Sequence, residues 1–233
     1  MADIPYSTAL IVGAGPGISA SLAHALRAAG VKVGLAARNI DKLGALAAEI
    51  GAATFAVDAS DPAAVAQLFE AADAAVGTPD LVVYNAAARV RGRIAELDPA
   101  ELKRAIEISA FGGFLVVQQA ARRMLPNGRG AILLTGATAS VKGFPLSSGF
   151  AMGKFALRGL AQSAARELGP QGIHVAHFVI DGGVRSASRP DPADHPDSTL
   201  DPDAIAQAYL DVLRQHRSAW SWEVELRPWV ERF

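Results

Sequence analysis

Thr8-Ala-Leu-Ile-Val-Gly13-Ala-Gly-Pro-Gly17-Ile18 is an apolar run that passes directly into a glycine-rich turn. The first five residues predict a buried strand, and the residues from Ile18 onward predict a helix. Glycines in such a turn let backbone N–H groups approach a diphosphate closely, and the helix N-terminus adds a partial positive charge. The stretch therefore indicates a nucleotide-binding loop at the start of a strand–helix repeat.

The same alternation of strand and helix continues along the chain. Apolar runs that predict strands lie at residues 8–12, 31–36, 53–57, 80–84, 131–135, 174–180 and 222–226. Helical patterns lie at 18–29, at 101–124 with a break, and at 150–168. Two more run from a cap at Asn39 to Ile50 and from Asp201-Pro202 to His216. Asp61-Pro62 and Asp98-Pro99 each mark the start of a helix. We therefore expect residues 1–233 to form a single domain, a doubly wound α/β fold of the Rossmann type with a seven-stranded parallel sheet.

The bulk composition excludes several classes of function. The net charge is -1, which gives no field to gather nucleic acid or anionic lipid. There is no cysteine, and His174 and His177 are at odd spacing in a strand, so no metal site is expected. The N-terminal residues lack the pattern of a signal peptide, and no apolar run is long enough for a membrane span, so we expect a cytoplasmic protein.

Two polar segments lie between the predicted elements. Arg89, Arg91 and Arg93 alternate in one loop and are interpreted as a solvated edge rather than a nucleic-acid patch. Residues 185–201 contain three prolines and several aspartates. This loop follows the sixth strand, which places it over the carboxyl ends of the strands, where ligands bind in such folds. A substrate lid and a plain surface loop are both compatible with the segment.

The end of the second predicted strand bears on the choice of cofactor. An acidic residue about 20 positions after the glycine loop binds the 2′-hydroxyl of NAD ribose in such folds. Here Ala37 takes that place and Arg38 follows. A small neutral residue beside an arginine leaves room and charge for a 2′-phosphate, so NADP is the predicted cofactor. Arg38 could also be an ordinary surface residue, but the missing acid at position 37 distinguishes the two cofactors.

Further motifs give the chain a resemblance to the short-chain dehydrogenase/reductase family. The glycine loop, Asp58, the Asn85-Ala-Ala-Ala88 segment, Phe150-Ala-Met-Gly-Lys154 and Asp181-Gly-Gly-Val184 resemble family motifs in the expected order. The resemblance implies that Lys154 contacts the nicotinamide ribose. The cofactor-binding residues predicted from the motifs are Gly13, Gly15, Pro16, Gly17, Ile18, Arg38, Asn39, Asp58, Asn85, Ala86, Lys154, Gly182 and Val184.

The departures from the family pattern concentrate on its catalytic residues. The family uses a tyrosine to protonate the substrate, a serine to orient it and an asparagine to hold a water relay. In this chain the tyrosine position is Phe150, the serine position is Ala137 and the asparagine position is Ser109. Phenylalanine cannot donate a proton, and positioned acid catalysis contributes roughly 10²–10⁴-fold in rate. Simple carbonyl reduction by the usual route should be impaired by about that factor.

Several residues could replace the missing proton donor. The candidates are Thr138, Ser140, Ser147, Ser148, Asp181 and Tyr209. The serines and Thr138 could instead cap a helix or satisfy loop backbone. Asp181 stands where the family has proline, and a carboxylate there could act as an acid or could cap the loop.

Two functions are compatible with this pattern. The first is an NADP-dependent oxidoreductase with an atypical proton donor and a small-molecule substrate. The second is a catalytically impaired NADP-binding relative that acts as a sensor or partner subunit. A lyase of the halohydrin type is disfavoured because its family keeps the tyrosine and gives up the dinucleotide loop.

The resemblance also implies a homodimer or homotetramer, because the helices that carry Ser109 and Lys154 pair between subunits in the family. The apolar stripe Leu157, Leu160, Ala161, Ala164 and Leu168 could face both the sheet and a partner, or could pack on the sheet alone.

Overall fold

The computed structural model describes residues 4–231 and contains one seven-stranded sheet. The strands are β1 Thr8–Val12, β2 Lys32–Ala37, β3 Ala53–Ala56, β4 Leu81–Tyr84, β5 Gly130–Thr135, β6 Ile173–Ile180 and β7 Glu223–Leu226. Their order across the sheet is β3-β2-β1-β4-β5-β6-β7, and every neighbouring pair is parallel. The order reverses beside β1, which places a crevice between the ends of β1 and β4. The predicted fold class is confirmed.

Helices cover both faces of the sheet. They are α1 Ile18–Ala28, α2 Gly44–Ile50, α3 Pro62–Ala75, α4 Pro99–Ile106, α5 Gly112–Met124, α6 Ser148–Leu168 and α7 Pro202–Leu213. Alternate residues of β1 belong to different cores. Ile11 packs with α1, α2 and α7 on one face, whereas Leu10 packs with α3, α5 and α6 on the other. Strands buried on both faces read as continuous apolar runs, which is the pattern seen in the sequence.

The helix boundaries confirm several predicted signals. Asp61, Asp98 and Asp201 each cap a helix through the side chain, and each is followed by proline. Gly30 and Gly51 follow helices with φ values of 82° and 63°. The break predicted within 101–124 is a π-turn at Glu107–Phe111 between α4 and α5.

Two helix boundaries differ from the prediction. Residues Asp41–Leu43 form a 3-10 turn, and α2 begins only at Gly44, because the side-chain oxygen of Asn39 accepts a hydrogen bond from the Asp41 N–H at 3.0 Å. At the other end of the chain, α7 ends at Leu213 rather than His216. The backbone of His216 is extended, and its ring accepts a hydrogen bond from the Ser218 N–H.

The apolar stripe of α6 packs inside the subunit. Leu157, Ala161, Ala164 and Leu168 are buried in the core that α6 shares with α3 and α5, and Leu160 packs against it. The large apolar residues that α6 exposes are instead Met152 and Phe155. Along the part of the chain that the structure describes, no helix combines the length and the hydropathy needed to cross a bilayer.

Candidate active site

The glycine loop connects β1 to α1 at the carboxyl edge of the sheet. Gly13 has a φ of 86°, and a Cβ atom there would lie only 2.2 Å from the Ala86 nitrogen. Gly17 has a φ of 87° and is the N-cap residue of α1. Both positions need glycine, one for close backbone approach and both for the left-handed conformation. A Cβ at Gly15 would meet no atom within 4 Å, so the backbone there faces open space.

Ser19 joins the glycine loop to the end of β4. Its hydroxyl accepts a hydrogen bond from the Asn85 side-chain amide at 2.7 Å and donates to the Gly13 carbonyl at 3.3 Å. Through these two hydrogen bonds the serine joins two neighbouring loops. Asn85 is therefore held in place from the loop side of the crevice.

A first cavity of about 500 Å³, which we call the outer cavity, lies between the glycine loop and the ends of β2 and β3. The predicted residues that line it are Gly13, Gly15, Pro16, Arg38, Asn39, Asp58, Asn85 and Ala86. Ala37 and a residue that the sequence interpretation missed, Lys42, line it as well. Arg38 and Lys42 thus bring two cations to one edge of this cavity.

Asp58 is held by its own loop. Its carboxylate accepts hydrogen bonds from the Ser60 hydroxyl at 2.6 Å and the Ser60 N–H at 3.0 Å, and it pairs with Arg104 at 3.1 Å. The hydrogen bonds from Ser60, with the charge of Arg104, lower the pKa of Asp58. The carboxylate is thus fixed in its charged form at the rim of the outer cavity.

A second cavity of about 680 Å³, which we call the inner cavity, lies over the ends of β4, β5 and β6. It shares Asn85 and Ala87 with the outer cavity. The predicted residues that line it are Ile18, Asn85, Ala137, Thr138, Ser147, Phe150, Lys154, Gly182 and Val184. The two cavities together form one crevice along the carboxyl edge of the sheet, as expected for this topology.

Lys154 is the buried cation of the inner cavity. Its side-chain ammonium donates a hydrogen bond to the Thr135 carbonyl at 2.6 Å, and the residue is 3% exposed. Burial, with a smaller contribution from the charge of Arg89, lowers the pKa of Lys154 to about 7. One N–H of the ammonium is bound to Thr135, and the nitrogen lies 5.9 Å from the centre of the Phe150 ring.

Phe150 and Ala137 bring only apolar groups to the wall of the inner cavity. Phe150 lies one turn before Lys154 on α6, and the guanidinium carbon of Arg89 lies 4.4 Å above its ring. Ala137 extends the wall from the loop after β5, where its N–H donates to the Ser140 hydroxyl at 3.1 Å. Neither residue can donate a proton from its side chain.

Ser109 lies beneath the crevice rather than on its wall. It is part of the π-turn, is 1% exposed, and its hydroxyl accepts a hydrogen bond from the Ala88 N–H at 3.2 Å. A Cβ on Gly153 would lie 2.7 Å from the Ser109 Cβ, so α6 packs directly against the π-turn at this point. The serine positions the loop after β4 and has no contact with either cavity.

The candidate proton donors separate into two groups. Thr138 and Ser147 line the inner cavity, and the Ser147 hydroxyl makes no capping hydrogen bond although Ser147 is the N-cap residue of α6. Ser140 and Tyr209 are buried elsewhere: Ser140 bonds to Ala137 and His177, and the Tyr209 hydroxyl bonds to Thr135 at 2.9 Å. Ser148 is the first residue of α6 and is absent from the cavity wall.

Asp181 also points away from the cavity. Its carboxylate is buried and lies 3.5 Å from the Lys142 ammonium and 3.4 Å from the Arg227 guanidinium. It therefore neither reaches the cavity nor caps the loop backbone through an observed hydrogen bond. The residues on either side of it in the sequence, Ile180 and Gly182, do line the inner cavity. The placement argues against a role of Asp181 as an acid.

Three arginines that the sequence interpretation did not assign to the site line the inner cavity: Arg89, Arg91 and Arg189. Arg89, Arg91 and Arg93 are all exposed, which fits the interpretation of this loop as a solvated edge, but that interpretation missed that the first two line the cavity. Arg93 lies outside the cavity wall, where it is exposed to solvent and pairs with Glu96. The position of Arg89 in the sequence could have indicated its place in the site. It follows the end of β4 by only five residues, and the carboxyl ends of the strands form the ligand-binding edge of such folds.

Residues 185–201 connect β6 to α7 and are held by their own ion pairs. Arg185 pairs with Asp191, Asp197 and Asp201, and Asp191 also accepts hydrogen bonds from Thr199. Val184 and Leu200 form an isolated parallel bridge at the base of the loop. The segment is therefore an ordered excursion that brings Arg189 to the inner cavity.

Comparison with known proteins agrees with this geometry. The family described as short chain dehydrogenase matches residues 7–191. The chain is 35% identical over 194 residues to trans-4-hydroxycyclohexanecarboxylate dehydrogenase from Sinomonas cyclohexanicum, covering 78% of this chain and 74% of that protein. A short-chain dehydrogenase from Rhodopseudomonas palustris is 36% identical, with a TM-score of 0.82 and coverage of 96% and 99%.

An alcohol dehydrogenase from the archaeon Thermococcus sibiricus, solved with 5-hydroxy-NADP, is 26% identical with a TM-score of 0.85 and coverage of 97% and 98%. The sheet order, the crevice at its carboxyl edge and these matches agree over most of the chain. The protein belongs to the short-chain dehydrogenase family of nicotinamide-dependent oxidoreductases.

Proposed function

We propose that the protein is an NADP-dependent oxidoreductase that interconverts a carbonyl and an alcohol on a small molecule in the inner cavity. One observation carries the proposal. The ammonium of Lys154, with its pKa lowered to about 7, lies in a cavity that adjoins the glycine-loop cavity through Asn85 and Ala87. A group of that pKa is suited to give or take a proton at neutral pH.

The residues present fit a dinucleotide. The open space beside Gly15 and the N-terminus of α1 suit a diphosphate. Arg38 and Lys42, with Ala37 in place of an acid at the end of β2, support NADP over NAD, because two cations suit a 2′-phosphate and the end of β2 is where an acidic residue binds a 2′-hydroxyl in such folds. Lys154, Gly182 and Val184 would hold the nicotinamide end.

The bound cofactor would supply or accept the hydride. We assign the proton to Lys154: its ammonium gives a proton to the oxygen of the carbonyl that is reduced, becomes a neutral amine, and is reprotonated from solvent. Because Phe150 carries no hydroxyl, the proton passes from the lysine to the substrate without an intervening phenol. Thr138 and Ser147, which line the same cavity, would orient that oxygen by hydrogen bonds.

The apolar residues exposed near the π-turn support a homodimer or homotetramer. Phe111 and Phe114 are 43% and 42% exposed, and their ring centres lie 6.2 Å apart. Met152 and Phe155 on α6 are also exposed. Clusters of this kind mark interfaces between proteins more often than free surface. We further propose that residues 185–201 act as a lid that carries Arg189 over the bound substrate.

The proposal is tested by measuring oxidation of NADPH against a panel of ketones, imines and activated alkenes. We expect turnover with at least one class, and a loss of roughly 10²-fold or more in Lys154→Met. The exposed Lys103, paired with Glu107 on the surface, supplies the matched control Lys103→Met. Binding of NADPH without turnover of any compound would favour the impaired relative that acts as a sensor or partner subunit.

A further inference from the structure

The inner cavity has an uneven distribution of charge. Its wall contains Lys154 and the three arginines Arg89, Arg91 and Arg189, and it contains no aspartate or glutamate. The protein as a whole carries a net charge of -1, so this concentration of cations does not reflect a basic surface. It is a property of the site.

The three arginines differ from several others in the chain in having no ion-pair partner among the residues that the structure describes. Arg93, Arg104, Arg123 and Arg158 each pair with a carboxylate. Within residues 4–231, no carboxylate oxygen lies within 4.0 Å of the guanidinium nitrogens of Arg89, Arg91 or Arg189. Their charges are therefore available to a ligand.

The cations of the inner cavity act on one another, although the three arginines are exposed and water screens part of their repulsion. Burial, followed by the charges of Arg189 and Arg91, lowers the pKa of Arg89, and the charge of Arg89 in turn acts on Lys154. Like charges that converge on one cavity repel one another, and an anion that binds among them relieves the repulsion.

Two of the arginines lie against neighbouring groups of the protein without forming ion pairs to any described residue. The Arg89 guanidinium stacks over the Phe150 ring, with 4.4 Å between the guanidinium carbon and the ring centre. Arg189 lies over the backbone of Gly183, since a Cβ there would come within 3.1 Å of its guanidinium nitrogen. The guanidinium N–H groups of both side chains can therefore donate hydrogen bonds to an oxyanion.

We propose that the substrate of this protein is an anion, a small molecule that carries a carboxylate or a phosphate, and that Arg89 and Arg189 bind this group in the inner cavity. The inference rests on the proposed function, because it names the substrate class of the same site. In this arrangement Phe150 supports the ring-stacked arginine. The side chain that stands in the tyrosine position then contributes to the selection of substrate.

Binding of small probes tests the inference separately from turnover. Benzoate, phenyl phosphate and the neutral isostere benzamide are titrated calorimetrically into the full chain, with and without saturating NADP. We expect benzoate or phenyl phosphate to bind at least tenfold more tightly than benzamide, and the stronger of the two identifies the carboxylate or the phosphate class. Arg89→Gln and Arg189→Gln should each weaken anion binding by roughly tenfold, because each removes a charge-assisted hydrogen bond.

Arg93→Gln is the matched control, since Arg93 belongs to the same loop but pairs with Glu96 outside the cavity. It should leave anion affinity unchanged. Equal affinity for benzoate and benzamide, absence of binding by both anions, or an equal loss in Arg93→Gln would overturn the inference. Turnover of neutral ketones with NADPH, together with any of these results, would leave the proposed function standing. Selective anion binding without turnover of any compound would support the inference and contradict the proposed function.

Discussion

The guanidinium of Arg89 lies over the ring of Phe150, with 4.4 Å between the guanidinium carbon and the ring centre. The aromatic residue thus contacts a cation at the position that the family resemblance assigns to the catalytic tyrosine. Lys154, on the next turn of α6, approaches the same ring to 5.9 Å. One aromatic ring therefore lies within reach of two cations of the inner cavity.

This relationship predicts the result of restoring the tyrosine. Phe150→Tyr alone should add little to the ketone reduction of the native protein, because Ala137 and Ser109 do not supply the serine and asparagine groups that the family resemblance pairs with the tyrosine, and such groups act non-additively. The triple variant with Ala137→Ser and Ser109→Asn should give clearly more, on the order of 10²-fold over the single variant.

The measurement is ketone-dependent oxidation of NADPH, with cofactor affinity and melting temperature recorded for every variant. The melting temperature matters because Ser109 packs against Gly153, where a larger side chain must be accommodated. A folded triple variant no faster than the single variant would contradict the prediction.

The fold and most residues that line the outer cavity could be predicted from the sequence, whereas the arginines of the inner cavity could not. Local signals fix the strands, the caps and the glycine loop, as Gly13 and Asp61 illustrate. The inner cavity depends on contacts between distant segments. Arg189 reaches it only through the course of the loop after β6, and Asp181 is turned away from it by Lys142 and Arg227. Such contacts leave no periodic pattern in the chain.

Cofactor choice is testable at the outer cavity. Arg38→Ala and Lys42→Ala should each weaken NADPH binding by roughly tenfold and leave NADH binding nearly unchanged, because only NADPH carries the 2′-phosphate. Calorimetric titration of both cofactors measures the difference, and Lys103→Ala on the surface is the control. Equal affinity of the native protein for NADPH and NADH would show that Arg38 and Lys42 do not bind the 2′-phosphate.

The assignment of the proton to Lys154 predicts a pH profile. An acid must be protonated to act, so carbonyl reduction should be fastest below the lysine pKa of about 7 and should fall about tenfold for each pH unit above it. Alcohol oxidation should show the opposite trend. Steady-state kcat/KM between pH 5.5 and 9 checks this. A reduction rate that stays flat through pH 9 would assign the proton to another group.

Lys154→Ala should in addition weaken NADPH binding in the wild-type and in the Phe150→Tyr background. The ribose contact implied by the family resemblance does not depend on the residue at position 150. Fluorescence titration of NADPH measures this independently of turnover.

The oligomer is testable through the exposed phenylalanines. Phe114→Glu places a charge beside Phe111 in the proposed interface and should convert a dimer or tetramer into smaller species. Light scattering at micromolar concentration reports the mass. Ile94→Glu alters another exposed apolar residue, 81% exposed and outside this cluster, and should have no effect. A monomeric native protein would reject the assembly.

A buried histidine should make the fold sensitive to acid. His177 in β6 contacts Glu223 at 3.1 Å and Ser140 at 3.3 Å, and burial lowers its pKa from 6.5 to about 4 despite the carboxylate. In the unfolded chain the histidine becomes protonated as pH falls below 6.5, whereas in the folded protein it stays neutral until pH falls to about 4. The free energy of unfolding therefore decreases as pH falls from 6.5 to about 4. The full difference corresponds to roughly 3 kcal/mol, of which about 2 kcal/mol is lost by pH 5.

His177→Gln removes the titration while keeping polar atoms for Glu223 and Ser140. The variant should be less stable than the native protein at pH 7, because the replacement packs less well, yet it should lose less stability between pH 7 and pH 5. Urea unfolding at both pH values gives the two differences. The comparison isolates His177, because Glu223 and the other buried histidine, His174, are present in both proteins. Equal losses in the native protein and the variant would show that His177 is protonated as easily in the fold as outside it.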